Sequence, residues 1–193
     1  MLRKLLSNRN LLAISVGLTS LATSIAVLAP KRIRADEGVP IRATFTVAYA
    51  GIVNSAGTSF CGGTGYDINV EAHGAGASTF GPLLFTLHKT VQATGLSHGC
   101  LQLSTANGDV LNAIYDINLG GPNDHGFGDG SDGKLTFTGG TGRFQGASGS
   151  AKLGSTFTNI YPASSIIGGT SAPIQGVATY SVDGSVFLPA DER

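Results

Sequence analysis

Apolar and polar side chains alternate with a period of two along most of the chain. In segment 41–49, Ile41, Phe45 and Val47 share one face, and Arg42 lies on the other. This period, combined with β-branched and aromatic residues, is typical of a strand that is buried on one side and solvated on the other. The pattern predicts about eight strands, at residues 41–49, 66–73, 83–91, 101–103, 110–119, 134–138, 151–158 and 174–182.

The glycine content and the turn signals between these segments indicate an all-β protein. The chain has 29 glycines in 193 residues, and no segment has the period of a helix. Asn107-Gly108 and Asp183-Gly184 are predicted as hairpin turns, because these residue types tolerate a positive φ. A single antiparallel eight-stranded β-barrel would leave no strand edges open, so it is favoured over the alternative, a β-sandwich.

The first 35 residues are predicted to be a signal peptide. Arg3, Lys4 and Arg9 precede the uncharged, mostly apolar run 11–29, and Ala35 ends a loose cleavage site. The apolar run approaches the length of a spanning helix, so an uncleaved membrane anchor is the alternative. Both interpretations place the remaining chain outside the cytoplasm, as a secreted or periplasmic domain.

Removal of this segment changes the charge balance of the protein. The whole chain has 12 basic and 12 acidic side chains, but residues 36–193 retain six of the basic ones and all of the acidic ones. A nucleic-acid partner is therefore not expected, because binding to phosphates requires clustered lysines and arginines. Residues 36–193 have the length of one domain with its own core, and we assign them to the β-barrel.

Cys61 and Cys100 are the only cysteines in the chain. In an oxidising compartment such a pair is expected to form a disulfide. The alternatives are a thiol nucleophile, or a metal site that uses His98 beside Cys100.

The glycine-rich stretch 139–150 has some features of a phosphate-binding loop. A phosphate loop needs a helix directly after its glycines, whereas Gly146 and Gly149 interrupt the residues that follow. The glycine spacing also differs from G-x-G-x-x-G by one residue. We therefore predict a sharp corner between two strands, with an aromatic side chain in the core; its residues are Gly139, Gly140, Gly142, Phe144, Gly146 and Gly149.

The stretch Phe137–Ser150, FTGGTGRFQGASGS, resembles the signature of the allene oxide cyclase and dirigent-like barrel superfamily, which includes small secreted bacterial members. Gln175–Tyr180 is loosely similar to the closing strand of that family. The resemblance implies an eight-stranded antiparallel barrel with an apolar cavity, assembled as a homodimer or homotrimer. In the plant members the cavity accepts hydrophobic substrates, either an epoxide that is cyclised or phenoxy radicals that are oriented for coupling. The shared motif is the corner of the fold, so no catalytic residue carries over to this chain.

One polar strand face offers candidates for acid–base chemistry. Asp67, Glu71 and His73 alternate along the same face, where a carboxylate and an imidazole lie about 7 Å apart. They are catalytic candidates if this face looks into a cavity. The alternative is a solvated outer face opposite the apolar residues of the strand.

A second group of polar residues lies in segment 123–133. Asp124, Asp129 and Asp132 alternate with glycines and can supply the oxygen ligands that Ca²⁺ prefers. The spacing does not match an EF-hand loop, so a polar surface loop without metal is the alternative. No other cofactor is indicated. H-E-x-x-H does not occur. G-x-S-x-G occurs once, at Gly95–Gly99, but no segment with the period of a helix follows it, as a nucleophile elbow requires, so the common hydrolase mechanisms have no support.

The sequence as a whole predicts a secreted barrel that binds a small hydrophobic molecule without catalysis, or that has a structural surface role. The main alternative is an isomerase or cyclase that acts on a hydrophobic substrate inside the barrel. A calcium-stabilised adhesive or matrix module is a further alternative. Contact with a membrane is expected only if the N-terminal segment is retained.

Overall fold

The computed structural model describes residues 38–53, 61, 68–92, 94–120, 127–161 and 174–189. The predicted signal segment, residues 1–35, lies outside the described residues. The described chain forms eight strands, which are β1 (Val39–Val53), β2 (Ile68–Ser78), β3 (Gly81–Val91), β4 (Leu96–Thr105), β5 (Val110–Leu119), β6 (Phe127–Gly140), β7 (Ser148–Tyr161) and β8 (Ile174–Phe187).

The eight strands form one closed antiparallel barrel. Each strand pairs with the next in sequence order, and β8 pairs back with β1 along the registers from Val39↔Val186 to Gly51↔Ile174. The predicted eight-stranded barrel is confirmed, and the sandwich alternative is wrong. Closure leaves no edge strand in the sheet.

The apolar face of each strand points into the barrel and fills most of it. Phe45 and Phe85 are buried with their ring centroids 5.0 Å apart. Small inward residues on β2 make space for such rings: a Cβ atom on Gly76 would lie 2.7 Å from Cδ1 of Phe45. Alternation of large and small inward side chains is how a small barrel fills its interior.

The two ends of the barrel differ. At one end, which we call the hairpin end, short turns join β2 to β3, β4 to β5 and β6 to β7. At the opposite end, which we call the loop end, β1, β3, β5 and β7 end and the strands that follow them begin. Residues 54–60, 62–67, 93, 121–126 and 162–173 between these strands lie outside the described residues.

The glycine-rich stretch forms a corner at the hairpin end, as predicted. Phe144 lies on a short 3₁₀ turn and is buried. Gly142 has φ +57°, and a Cβ atom there would lie 1.8 Å from Oδ1 of Asp109. A Cβ atom on Gly140 would lie 1.9 Å from the carbonyl oxygen of Val110. The remaining glycines of the predicted corner also have positive φ, namely Gly139, Gly146 and Gly149.

Arg143 connects this corner to two other turns of the hairpin end. Its guanidinium carbon lies 4.8 Å from the ring centroid of Phe144 and 5.6 Å from that of Phe80, and Nη2 donates to the carbonyl oxygen of Phe80 at 3.3 Å. Nε lies 3.7 Å from Oδ2 of Asp109 in the β4–β5 turn. The corner motif therefore holds three hairpins together.

The two predicted hairpin turns have different outcomes. Gly108 has φ +89° in the turn between β4 and β5, which confirms that turn. Asp183-Gly184 is not a turn, because both residues lie inside β8 and pair with β1 and β7. Gly184 serves close packing there, since a Cβ atom would lie 2.3 Å from the carbonyl oxygen of Ser150.

Cys61 and Cys100 form the predicted disulfide, with their Cα atoms 5.7 Å apart. Close to it, His98 contacts Oδ1 of Asp116 through Nδ1 at 2.8 Å and the carbonyl oxygen of Cys61 through Nε2 at 3.3 Å. The disulfide and His98 together attach Cys61 to the outer surface of β4.

Candidate functional site

The most unusual feature of the barrel interior is a buried lysine. Lys89 is 7% exposed and lies on the inward face of β3, in phase with Leu83, Phe85 and Leu87. Within the part of the chain that the structure describes, no carboxylate forms an ion pair with it. Burial without such a partner lowers the pKa of Lys89 to about 8, because the charged form loses hydration.

Tyr180 is the polar neighbour of this lysine. Nζ of Lys89 donates to the hydroxyl of Tyr180 at 3.3 Å. The Tyr180 ring is fixed by stacking on Phe85, with centroids 5.1 Å apart and an interplanar angle of 23°. Because Tyr180 accepts this hydrogen bond, its own proton remains available for a further acceptor.

Two more tyrosines and an asparagine complete a group that we call the tyrosine–lysine cluster, defined as Tyr49, Lys89, Tyr115, Asn159 and Tyr180. The hydroxyl of Tyr49 donates to Oδ1 of Asn159. Nδ2 of Asn159 is buried and has no hydrogen-bond partner among the described residues, and the buried hydroxyl of Tyr115 has only the Ser97 side chain beside it. The cluster thus offers unused hydrogen-bonding groups in the interior, where such groups normally have partners.

The tyrosines of this cluster stay protonated over a wide pH range. Burial raises the pKa of Tyr49, Tyr115 and Tyr180, and the charge of an ionised Tyr180 raises the pKa of the other two further. Neutral phenols donate hydrogen bonds. The cluster therefore combines phenol donors with one amine that titrates near physiological pH.

A small cavity lies against the cluster, towards the loop end. The cavity has a volume of about 10 Å³, enough for about one water molecule. Its polar lining comes from the tyrosine–lysine cluster and the rest is apolar; the lining residues are Tyr49, Val70, Lys89, Leu119, Phe157, Ala178 and Tyr180.

Glycines on neighbouring strands make space for the cluster. Lys89, Gly99 and Tyr115 form a row across β3, β4 and β5. A Cβ atom on Gly99 would lie 2.6 Å from Cε1 of Tyr115 and 2.9 Å from Cβ of Lys89. On β8, a Cβ atom on Gly176 would lie 2.3 Å from the hydroxyl of Tyr49.

Of the predicted acid–base candidates, Glu71 and His73 do not lie at this site. Glu71 and His73 are exposed on the outer face of β2, while their neighbours Val70 and Ala72 are buried. Oε1 of Glu71 lies 3.6 Å from Nδ1 of His88 on the adjacent strand. Asp67 lies outside the described residues.

Two of the three predicted calcium ligands, Asp129 and Asp132, lie in the first half of β6. Asp129 and Asp132 are exposed, and Asp124 lies outside the described residues. Residues 127–133 belong to β6 and not to a loop, and the register of β6 against β7 shifts between Gly130 and Gly133. No group of three histidine, cysteine or acidic residues that could hold a metal ion occurs in the described ranges.

Lys89 and Asn159 are not among the candidates predicted from the sequence, although the pattern contains a signal for both. Each lies in phase with the apolar residues of its strand, Lys89 with Leu87 and Val91 and Asn159 with Phe157. A polar residue in the apolar phase of a strand is placed inside the barrel by the same alternation that buries its neighbours.

No family model, curated protein or solved structure matches this chain. Within the described residues, no helix has the length and apolar character that crossing a membrane requires. The function of the candidate site is therefore inferred from the geometry of its residues.

Proposed function

We propose that this protein is an exported binding protein of the allene oxide cyclase or dirigent-like type, which holds a small and mainly apolar molecule with a carbonyl or carboxylate oxygen. That oxygen is bound by Lys89 and Tyr180 at the loop end of the interior. One observation carries the proposal: a buried lysine faces a cavity and has no carboxylate partner among the described residues. A buried ammonium without a partner is unfavourable, and a ligand oxygen would compensate for its lost hydration.

The lining of the cavity supports this class of ligand. Val70, Leu119, Phe157 and Ala178 supply an apolar wall beside the two polar anchors, Lys89 and Tyr180. Sites for small molecules commonly combine such a wall with a few polar groups that orient the ligand. Because the cavity is close to the size of one water molecule, a small ligand is favoured, and a larger one must displace lining side chains.

Export and the family assignment rest on other parts of the chain. A disulfide-bonded cysteine pair is compatible with an oxidising compartment, and the predicted signal peptide agrees with it. The family assignment is supported by the eight-stranded antiparallel barrel and by the GGTGRF corner.

Mass spectrometry of the exported full chain tests the compartment, the bound ligand and the assembly together. We expect a mass that begins at Asp36 and corresponds to the disulfide-bonded form. A small molecule should be released when the native sample is denatured, and the native mass should be that of the homodimer or homotrimer that the resemblance implies. A monomer would contradict that assembly without affecting the site.

Thermal shifts with short-chain carboxylates, and with the matching alcohols for comparison, test whether Lys89 and Tyr180 bind a ligand oxygen. Carboxylates should raise the melting temperature of the wild type and of Lys134→Met, because Lys134 is an exposed lysine on the outer face. Lys89→Met should lose this shift and keep its fold. If the wild type, Lys134→Met and Lys89→Met respond alike, the proposed binding site is wrong.

A structural surface role is the second candidate, and the filled interior favours it. Apart from the cavity at the cluster, large apolar side chains such as Phe45, Phe85 and Leu101 occupy the barrel. A chain that releases no molecule on denaturation and shows no shift with any probe would support this candidate. For the cyclase alternative the tyrosine–lysine cluster supplies candidate groups inside the barrel, whereas Glu71 and His73 lie on its outer face.

A further inference from the structure

We infer that Lys89 is a nucleophile that captures a small aldehyde or ketone as an imine inside the barrel. The inference rests on the proposed function and specifies the ligand class of that site. Its basis is geometric: Nζ of Lys89 is buried beside a cavity, 3.3 Å from the hydroxyl of Tyr180, and no described carboxylate neutralises it.

The environment of Lys89 favours the reactive form of its amine. Only the uncharged amine attacks a carbonyl, and desolvation in an apolar site is one way in which proteins produce it. With a pKa of about 8, roughly half of the Lys89 side chains are uncharged near pH 8. For an exposed lysine with an ordinary pKa, the uncharged fraction at that pH is below about 1%.

The surrounding groups can carry the protons of the reaction. Nζ attacks the carbonyl carbon, a C–N bond forms as the C=O π bond opens, and the oxygen takes up one of the two protons of the amine to give a carbinolamine. The hydroxyl then leaves as water, with a proton donated by Tyr180, and the nitrogen returns its remaining proton to the tyrosine. Amine and carbonyl compound thus become imine and water, without an oxidant or reductant.

A carbonyl compound suits this site better than a carboxylate. The apolar wall of Val70, Leu119, Phe157 and Ala178 limits the water that would hydrolyse an imine. The two ligand classes also differ in their response to pH. Binding of a carboxylate weakens as Lys89 loses its proton, whereas imine formation becomes faster.

Reductive trapping of the full-length protein tests the inference. Acetaldehyde, one of the smallest aldehydes, and sodium cyanoborohydride are added near pH 8, and ethylated lysines are located by peptide mass spectrometry over time. Lys134 and Lys152 are exposed on the outer face of the same chain and serve as internal controls. Lys89 should be ethylated at least about tenfold faster than either control, since a much larger fraction of its amine is uncharged. Its rate should level off above about pH 8, whereas the rates at the controls continue to rise.

The outcomes separate the inference from the proposed function. Ethylation of Lys89 at or below the rate of the exposed lysines overturns the inference. If carboxylates still shift the melting temperature of that protein, the proposed function survives; if they do not, both are wrong. The comparison is made within the wild-type chain, so it does not depend on the folding of a variant.

Two variants test the roles of the groups. Lys89→Arg keeps a positive charge but cannot form an imine, so it should lose trapping and retain a carboxylate-dependent thermal shift. Tyr180→Phe should retain Lys89 and slow its ethylation several-fold through loss of the proton donor, with the plateau in the pH profile preserved. An unchanged ethylation rate in Tyr180→Phe would exclude the tyrosine from the proton transfer.

Discussion

At the scale of single residues, Lys89 follows the alternation of β3 and yet opposes the stability of the barrel. Its phase with Leu83, Phe85 and Leu87 places it inside, where the ammonium loses its hydration. The aliphatic part of the side chain packs well there, but the charged end does not. A position that breaks the rule of an apolar core without structural compensation is a mark of a functional site.

The stability of the protein should increase with pH because of Lys89. Its pKa is about 8 in the folded state, against an ordinary value of 10.5 in the unfolded chain. Between these two values the unfolded state binds more protons, so the free energy of unfolding rises with pH in that window. From about pH 7 to about pH 9.5 we expect a gain of about 2 kcal/mol, measured by urea unfolding.

Lysine variants identify the group that is responsible. Lys89→Met should show no such increase, whereas Lys134→Met should show the wild-type increase. The window ends near pH 10, because the raised pKa values of Tyr49, Tyr115 and Tyr180 oppose stability at higher pH. A wild-type stability that falls from pH 7 to 9.5 would contradict the assignment.

Gly140 should tolerate no side chain, whereas Gly154 should. A Cβ atom on Gly140 would lie 1.9 Å from the carbonyl oxygen of Val110, and this backbone cannot move without disrupting the sheet. On Gly154 the nearest atom is the Ser181 hydroxyl, 2.8 Å away at the end of a rotatable side chain. We expect Gly140→Ala to lose roughly 2 kcal/mol or more, and Gly154→Ala to stay within about 0.5 kcal/mol of the wild type. Equal unfolding midpoints in urea would show that the corner adapts.

At the scale of elements, the sequence predicts the strands well and their ends less well. The predicted strand 110–119 coincides with β5, because Asn107-Gly108 and the alternation mark its limits clearly. Asp183-Gly184 has the residue types of a turn, but pairing with both β1 and β7 continues β8 through it. Such long-range pairing overrides a local turn signal, and single-sequence patterns contain no information about it.

The candidate site, like the strands, follows partly from the local pattern and partly from long-range pairing. Which face of a strand points inward can be deduced from the sequence, so Lys89 and Asn159 could have been placed in the barrel. That Lys89 meets Tyr180, 91 residues away in the chain, depends on the register and closure of all eight strands. Registers between distant strands are the part that the sequence alone does not provide.

The contacts of Arg143 at the hairpin end should contribute measurably to stability. Arg143→Ala removes the stacking on Phe80 and Phe144 and the contact with Asp109. We expect a loss of about 1 kcal/mol in urea unfolding, in the range of a partly exposed cation–π contact with its ion pair. Arg42 is a suitable control because its ion pair with Asp183 is highly exposed, with 77% and 70% of the two side chains accessible.

Arg42→Ala should change the stability by less than about 0.5 kcal/mol. Arg143→Lys should fall between Arg143→Ala and the wild type, since it keeps the charge but not the planar group that stacks on two rings. If Arg143→Ala and Arg42→Ala have the same effect, the three turns are held by the buried Phe144 and not by the arginine.

At the scale of the whole molecule, closure of the barrel and the disulfide stabilise the fold in different ways. Closure pairs every strand on both sides, so no row of backbone N–H and C=O groups is left unpaired at a sheet edge. The disulfide restricts the unfolded chain over a sequence separation of 39 residues and attaches Cys61 to β4. The barrel can therefore remain closed without the disulfide, but with a smaller free energy of unfolding.

Removal of the disulfide should destabilise the protein without opening the barrel. The double variant Cys61→Ala, Cys100→Ala should lose on the order of 4 kcal/mol in urea unfolding, because its unfolded state gains the conformational entropy of a loop of this length. The reduced wild type should have the same free energy of unfolding as this double variant. Lys89→Met is the control for the interior site: reduction should lower its free energy of unfolding as much as that of the wild type. Far-ultraviolet circular dichroism should show the same strand content for both forms under native conditions.

If the reduced wild type keeps the stability of the oxidised form, the contacts of His98 with Asp116 and Cys61 are sufficient to hold Cys61 against β4. If its strand content is lost, the barrel depends on the disulfide to fold, and the protein can function only where that bond forms.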